Sequence, residues 1–292
     1  MVKVYGVIVA YNFDPDELKA AVHSLKNQVS KVILCNNTTS YLSSDEFLDV
    51  KIYNFGNNLG IAYAQSVAME WAFSNGADFV LQLDQDSILE NSTVRKLTDS
   101  FNDLSSLGYR IGALGPLHFD KVRGKIDYNR LPKGIKIPGT SCEIVKHTLS
   151  SACLIPKHAF EKTGNIDKDL FIDLVDWEYC WRLKKNGFEV VRDNSVLLPH
   201  QVGNGYQDII NGVNVRKPAP IRHYYHSRNV ILMLHRSYVP FSFKIRELSK
   251  LLIKIFLYRF IFKDGLVRWS FLARGIIDGL RGKKGKYENF KH

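Results

Sequence analysis

Residues 79–87 read F-V-L-Q-L-D-Q-D-S, an apolar run that ends in two carboxylates, Asp84 and Asp86, with one residue between them. In an extended segment, side chains two residues apart point to the same side, so both carboxylates project together and Gln85 points away. Two acids this close repel each other unless a cation lies between them. The pair therefore suits a hard divalent ion, Mg²⁺ or Mn²⁺, shared with substrate phosphates. The alternative is a turn with two solvated acids.

Strand-like and helix-like segments alternate upstream of this stretch, with short connections between them. Residues 2–10 form a near-continuous apolar run, and a helix start follows at Asp14 to Glu17, with proline and acids in its first turn. KVILCNN (31–37) and DVKIYNFGNN (49–58) predict two further strands, and residues 60–75 have a helical pattern. This alternation predicts an α/β fold with a mostly parallel sheet and flanking helices.

Polar residues follow each predicted strand of this half. Ligands of such sheets bind beyond the carboxyl ends of the strands, so these residues are expected to converge on one edge. They are Tyr11-Asn12, Asn36-Asn37, Asn57-Asn58 and Asp84-Gln85-Asp86. The sequence has neither a GxGxxG after the first strand nor a GxxxxGK[ST], which argues against a dinucleotide fold and a P-loop. GNNLGIAYA (56–64) could present loop amides to phosphate, or be a simple Gly/Asn turn.

The second half is less regular. It predicts helices at 92–107, 173–187 and 223–238, strands at 111–119, 149–156 and 188–200, and a basic excursion at 120–147. Asp173, Asp176 and Glu178 cluster at the start of one helix, where acids also serve as caps and Glu178 can pair with Arg182. One carboxylate there could take a proton from an attacking hydroxyl.

Composition sets broad limits on the protein class. The chain has 292 residues with 45% hydrophobic and 24% charged residues, which is ordinary for a globular protein. Its four cysteines show no CxxC and no metal-ligand spacing, so we expect buried thiols in a reducing compartment. We find no signal peptide and no apolar run of 18 residues, and we therefore expect a cytoplasmic location.

The net charge of +11 is concentrated at the C-terminus, where residues 241–292 carry thirteen Lys and Arg against four Asp and Glu. Bulky apolar residues alternate there with a cation every four or five positions. This pattern predicts one or two amphipathic helices on an anionic membrane surface. The alternatives are a packing or oligomerisation helix, and a nucleic-acid-binding tail, which no known binding motif accompanies.

Several motifs together resemble a known family. They are VIVAYN, NNLGIAYA, LDQDS, SSACLIP, FIDLVDWEYCWRLKKNGFEV, the H-x-x-G of residues 200–203, and YYHSRN. Residues 2 to about 238 resemble family 2 glycosyltransferases of the GT-A fold, most of all bacterial rhamnosyltransferases that use dTDP-L-rhamnose. The resemblance implies a GT-A domain at 1–238, with a nucleotide-binding half at 1–110 and an acceptor and catalytic half at 111–238. Residues 239–292 then form a C-terminal extension of basic amphipathic helices.

The resemblance also implies residue roles. Asp84 and Asp86 would bind the divalent metal, Asp176 would be the general base, and Asp173 or Glu178 would support it, since Val175 stands where the family usually has Glu. His200 would lie near the metal or the diphosphate. The residues expected at the nucleotide sugar are Ala10, Tyr11, Asn12, Asn36, Asn37, Asn58, Gly60, Asp84, Gln85, His200 and Arg228.

The resemblance thus implies an inverting, metal-dependent transferase that adds L-rhamnose from dTDP-L-rhamnose to a lipid-linked cell-surface polysaccharide, at the inner face of the plasma membrane. One alternative is a family 2 transferase with another donor, such as a UDP-hexose. Another, from a different class, is a nucleotide-sugar-binding or scaffold protein without turnover, in which Val175 marks a decayed site.

Overall fold

The described residues form a nine-stranded mixed sheet with flanking helices, and a helical part follows later in the chain. The structure is a computed structural model that describes residues 2–120, 133–200, 206–208, 214–216 and 218–288. Its strands are β1 Val4–Ala10, β2 Lys31–Asn36, β3 Val50–Asn54, β4 Phe79–Asp84, β5 Ile111–Asp120, β6 Ile135–Lys136, β7 Cys142–Ile144, β8 Cys153–Pro156, β9 Glu189–His200, β10 Tyr206–Asp208 and β11 Asn214–Arg216. Its helices are α1 Pro15–Lys26, α2 Ile61–Ser74, α3 Thr93–Ser106, α4 Lys157–Thr163, α5 Val175–Lys185, α6 Pro220–Leu234, α7 Phe241–Ile261 and α8 Gly265–Leu280.

The sheet has the strand order β3-β2-β1-β4-β8-β5-β9-β7-β6. Strands β1 to β4 are parallel, as the alternation of strands and helices predicts. Strand β8 is antiparallel to both β4 and β5, and β7 is antiparallel to β9. The sheet is therefore parallel in its first half and mixed in its second, which confirms the predicted α/β class and refines it.

Local sequence explains where the first helix begins and how closely it packs. The Asp14 carboxylate accepts hydrogen bonds from the amides of Asp16 and Glu17, at 2.9 and 3.1 Å, and caps α1 ahead of Pro15. Leu25 of α1 packs onto β1 at Gly6, where an added Cβ would lie 2.4 Å from the Leu25 side chain. Glycine at this position therefore sets the distance between the helix and the sheet.

Three predicted segments differ from the observed ones. Strand β8 begins at Cys153 rather than at 149, because Ala152 has a positive φ of 56° and ends a turn. Helix α5 begins at Val175 rather than at Asp173, since φ is 68° at Asp173 and 63° at Leu174, outside the helical region. Residues 121–132 of the basic excursion lie outside the described residues.

The four cysteines are buried thiols, as predicted. Burial raises the pKa of Cys35 and of Cys180 to about 12, and burial followed by the charge of Asp193 raises that of Cys142 to about 11. These thiols are therefore protonated at neutral pH and serve as packing groups.

The chain divides into two compact units, and the division differs from the boundary expected after residue 238. Unit 1 holds residues 1–168 and 176–200, and unit 2 holds 169–175 and 201–292. Helix α6 falls in unit 2 because it packs along α8, where a Cβ on Gly275 would lie 2.1 Å from Ser227 Oγ. The sequence predicted one or two C-terminal helices, and two are present, α7 and α8. Among the described residues, no helix is both long and apolar enough to cross a bilayer.

Candidate active site

The strand ends of unit 1 lie side by side. The parallel register sets Ala10 of β1 opposite Asn36 of β2, and Asn36 opposite Asn54 of β3. On the other side of β1, Val9 lies opposite Asp84, the last residue of β4. The predicted convergence of polar residues on one edge of the sheet is therefore present.

Gln85 fixes the turn that carries the two carboxylates. Its side-chain oxygen accepts a hydrogen bond from the Tyr11 amide at 2.7 Å, and its amide nitrogen donates to the Tyr11 carbonyl at 3.2 Å. The side chain of Gln85 is thus occupied by the end of β1, whereas Asp84 is half-buried and Asp86 is exposed. Gln85, predicted among the nucleotide-sugar residues, positions the loop after β1 through these two bonds.

Ser151, in the turn before β8, braces the same turn together with Ser87. The Asp84 amide donates to Ser151 Oγ at 3.2 Å, and Ser151 Oγ donates to Ser87 Oγ at 3.2 Å. The Ser151 carbonyl in turn lies 3.0 Å from Nε2 of His118 on β5. Sequence reasoning assigned no role to Ser151 or His118, although SSACLIP was one of the motifs that carried the resemblance.

Asn36 is fully buried and its side chain is engaged within the chain. It donates to the Ser40 carbonyl at 2.5 Å and to Asn54 Oδ1 at 2.7 Å, and it accepts from the Thr38 hydroxyl at 2.6 Å. These bonds close the loop after β2. In this arrangement Asn36 shapes the edge of the site, and its contact with a nucleotide sugar stays a prediction.

Asn37 joins the end of β2 to the loop before α2. Its Nδ2 donates to Asn58 Oδ1 at 3.1 Å, its Oδ1 accepts from the Leu59 amide at 2.8 Å, and Asn58 Oδ1 accepts from the Gly60 amide at 2.9 Å. Gly60 has a φ of 90°, which explains the glycine at the point where the loop enters α2. The predicted residues Asn37, Asn58 and Gly60 therefore form one hydrogen-bonded structure.

Asp176 lies in the first turn of α5, and its charge acts on Cys153 of β8. Burial raises the pKa of the Cys153 thiol well above its usual value, and the charges of Cys180 and Asp176 raise it further. Cys153 pairs with Gln82, two residues before Asp84. Because β8 is antiparallel to β4, Cys153 marks the carboxyl end of β4. The half-buried Asp176 also accepts the Trp177 amide at 2.9 Å.

Glu178 is committed to a structural ion pair. It is buried, and its two oxygens accept from Arg182 Nε at 2.8 Å and from an Arg182 terminal nitrogen at 3.0 Å. Arg182 also donates to the carbonyls of Thr163 and Asn165. The structure thus shows the Glu178–Arg182 pair that the sequence offered as an alternative, and we assign the buried Glu178 to packing. Its catalytic role stays a prediction.

Asp173 and Arg228 belong to unit 2. The Asp173 carboxylate pairs with Arg222, and Arg228 is completely buried with its guanidinium among backbone carbonyls. Arg228 therefore has an internal role in unit 2, and its contact with a nucleotide sugar stays a prediction. His200 ends β9, but its side chain lies outside the described residues, as does Gly203.

The donor set at the end of β4 can accept a divalent cation. In the described part of the chain, no three His, Cys, Asp or Glu side chains gather to enclose a metal. Mg²⁺ does not require such a cage, because it is commonly held by one or two carboxylates together with substrate phosphates. Asp84 and Asp86 fit that description, since Asp84 ends β4 and Asp86 lies two residues later in the braced turn.

Comparison with protein families gives one matching family model, which is described as glycosyl transferase family 2. It matches residues 6–162, more than half of the chain. A relative from Shigella flexneri, the dTDP-rhamnosyl transferase RfbF, is 30% identical, and the alignment covers 97% of each chain.

Solved structures share the fold at low sequence identity. GalNAc-T7 with UDP, GalNAc and Mn²⁺ superposes with a TM-score of 0.56 at 14% identity, over 85% of this chain and 53% of that one. TarS 1–349 of S. aureus in complex with UDP-GlcNAc gives a TM-score of 0.55 at 14% identity, over 95% and 81% of the two chains.

The assignment of Glu178 to packing can be tested by stability. Glu178→Ala leaves the Arg182 guanidinium without its buried partner and should lower the free energy of unfolding by about 3 kcal/mol. The matched control is Glu161→Ala on α4, which removes an exposed pair with Lys157 and should cost less than about 0.5 kcal/mol. Urea unfolding measures both values. Equal stability of the two variants would contradict the assignment.

Proposed function

Because the chain belongs to the family 2 glycosyltransferases, we propose that it transfers L-rhamnose from dTDP-L-rhamnose to a lipid-linked cell-surface polysaccharide, with inversion at the anomeric carbon. The choice of donor rests on the 30% identity to a dTDP-rhamnosyl transferase across almost the whole of both chains. The observation that carries the chemistry is the edge where Asp84, Asp86 and the strand ends of β1 to β3 meet.

The nucleoside diphosphate binds at the ends of β1 to β3 in this proposal. Tyr11 and Asn12 are exposed directly after β1, beside the buried Ala10, and are available to a base and ribose. Asn12 has a positive φ of 46°, a backbone state that asparagine tolerates better than most residues. Asn37, Asn58 and Gly60 hold the loop whose amides precede α2, where an anionic group is favoured.

Asp84 and Asp86 would hold the divalent ion, Mg²⁺ or Mn²⁺, together with diphosphate oxygens. When bound, that ion offsets the negative charge that develops on the departing diphosphate. The contribution of the chain is to keep both carboxylates in place, through the bonds of Gln85 to Tyr11 and of the Asp84 amide to Ser151. In this proposal His200 also lies near the metal or the diphosphate, as the resemblance implies.

Asp176 acts as the general base. It removes the proton of an acceptor hydroxyl as that oxygen attacks the anomeric carbon, while the bond from this carbon to the diphosphate oxygen breaks on the opposite face. A single displacement of this kind inverts the configuration and releases the nucleoside diphosphate. The first turn of α5 favours the charged carboxylate, because the positive end of the helix dipole lies there.

Replacing Asp176 by Asn removes the base while keeping the shape of the side chain. We expect Asp176→Asn to lower kcat by about 10³-fold, within the range for loss of a general base, and to leave the Kd for the donor within about twofold. The control is Asp99→Asn, the same change at an exposed residue of α3. Product release measures kcat, and calorimetry measures Kd. Normal turnover of Asp176→Asn would remove it from this role.

Helix α7 supports the membrane part of the proposal. One of its faces carries exposed apolar side chains at helical spacing, with Phe256 71% and Phe260 79% exposed. The face is completed by Phe241, Ile245, Leu248 and Leu252. Exposed cations Arg246, Lys250 and Arg259 lie along the same helix. An apolar face bordered by cations suits the surface of an anionic bilayer, where a lipid-linked acceptor would be found.

Removing two aromatic rings from this face should weaken membrane binding. We expect Phe256→Ser combined with Phe260→Ser to reduce binding to phosphatidylglycerol vesicles by about tenfold or more, since each buried Phe contributes about 1.5–3 kcal/mol. The control is Tyr41→Ser in unit 1, where the side chain is equally exposed. Co-sedimentation measures the partition. If the double variant binds vesicles as the wild type does, but sedimentation velocity shows a monomer where the wild type is a dimer, this face of α7 would instead be an interface with a second copy of the chain.

A further inference from the structure

The segment that leads into α5 has an unusual backbone. Residues 169–175, which we call the lead-in loop, end one residue before Asp176 and belong to unit 2. Phe171, Asp173 and Leu174 all have φ between 62° and 68°, and none of them is glycine. Residues other than glycine rarely adopt this left-handed backbone conformation, and it persists only where surrounding contacts stabilise it.

Asn229 on α6 supplies the main support. Its Nδ2 lies within hydrogen-bond distance of three carbonyls of the lead-in loop, those of Leu170 at 3.0 Å, Ile172 at 2.7 Å and Asp173 at 2.8 Å, which share its two hydrogens. Asn229 is completely buried. One carboxamide therefore fixes the backbone on both sides of Phe171 and as far as Asp173, three residues before the base.

Arg228 holds Asn229 and the start of the loop together. Its Nε and one terminal nitrogen donate to Asn229 Oδ1 at 3.0 and 2.9 Å, and the same terminal nitrogen donates to the Leu170 carbonyl at 2.9 Å. These contacts orient the Asn229 carboxamide, because its oxygen faces the cation and its nitrogen faces the loop. The sequence R-N at 228–229 is therefore a matched donor and acceptor pair for this loop.

Two further contacts secure the lead-in loop within unit 2. Arg222 pairs with the Asp173 carboxylate, with Nε 2.8 Å from Oδ2, and the Phe171 ring stacks on Tyr225 at 4.8 Å between centroids. The segment after α8 adds a third, since the Gly285 amide donates to the Asp169 carbonyl at 2.7 Å. Side chains of α6 and the segment after α8 thus hold the loop from its first residue to Asp173.

We infer that Asn229, oriented by Arg228, is a positioning residue for the base: it holds the lead-in loop in its left-handed conformation and so fixes where the first turn of α5 presents Asp176. Without the carboxamide, the loop carbonyls lose their donor and the loop relaxes towards commoner backbone angles. Displacement of a catalytic group by about 1 Å can lower a rate by about 10²-fold. This inference rests on the proposed role of Asp176, and it gives YYHSRN a function that does not involve the donor.

The test compares Asn229→Ala with Ser227→Ala. Ser227 is equally buried on α6, but it bonds to carbonyls of His223, Tyr224 and Leu272 rather than to the lead-in loop. We expect Asn229→Ala to lower kcat by about 10²-fold with the KM for donor within about twofold, whereas Ser227→Ala keeps kcat. Amide hydrogen exchange in residues 169–176 should become faster in Asn229→Ala alone. If Asn229→Ala does not fold, Arg222→Gln, at a half-exposed residue, serves instead. We expect it to lower kcat and to speed up exchange of residues 169–176, each to a smaller extent.

The outcomes separate this inference from the proposed function. A wild-type protein that turns over, with equal kcat and equal exchange of 169–176 in the Asn229 and Ser227 variants, would overturn the positioning role while leaving the transferase intact. Loss of turnover in Asp176→Asn, together with normal hydrogen exchange of the loop in Asn229→Ala, would likewise overturn the positioning role and leave the proposed base in place. Faster exchange of the loop with a fall in kcat at constant KM supports the inference.

Discussion

The parallel register of β1 with β2 and β4 is the constraint on which the site depends. It places Ala10, Asn36 and Asp84 at one edge of the sheet, although about fifty residues separate the last two in sequence. Gln85 then joins two of these strand ends through both backbone groups of Tyr11, and Asn37 joins a third to the loop before α2. Hydrogen bonds between neighbouring strand ends therefore hold this edge together. In the proposed function, Asp84 and Asp86 bind a cation there that faces the diphosphate.

The local pattern was sufficient to predict this first half. Apolar runs of β-branched residues, the Asp14-Pro15 helix start and polar residues after each strand are all visible in consecutive sequence. The second half depends on pairing between distant segments. Strand β8 has four residues and inserts antiparallel between β4 and β5, and no periodicity in SSACLIP indicates that partner. The brace from Ser151 to Asp84 follows from this insertion, so it was missed.

Charged residues were the hardest to place from sequence. Arg228 resembles a phosphate contact in the sequence, yet it is buried among carbonyls, and burial lowers the pKa of its guanidinium. Glu178 resembles a catalytic acid, yet it faces Arg182 inside unit 1. Whether a charge is solvated or enclosed depends on tertiary packing, which composition and spacing do not report. The sequence did not predict the positive φ values of Asp173 and Leu174 either, because neither position has glycine, the residue typical of positive φ.

Binding of dTDP, UDP and GDP by calorimetry, with Mn²⁺ or Mg²⁺ and then with EDTA, tests the central claim most directly. The claim is that Asp84 and Asp86 end β4 in order to hold a cation against a nucleoside diphosphate. The account predicts tightest binding of dTDP in the presence of metal, and loss of that binding in EDTA and in Asp86→Asn. Preference for UDP would keep the site and replace the donor. Binding that neither EDTA nor Asp86→Asn weakens, or no binding of any of the three nucleotides, would contradict the account.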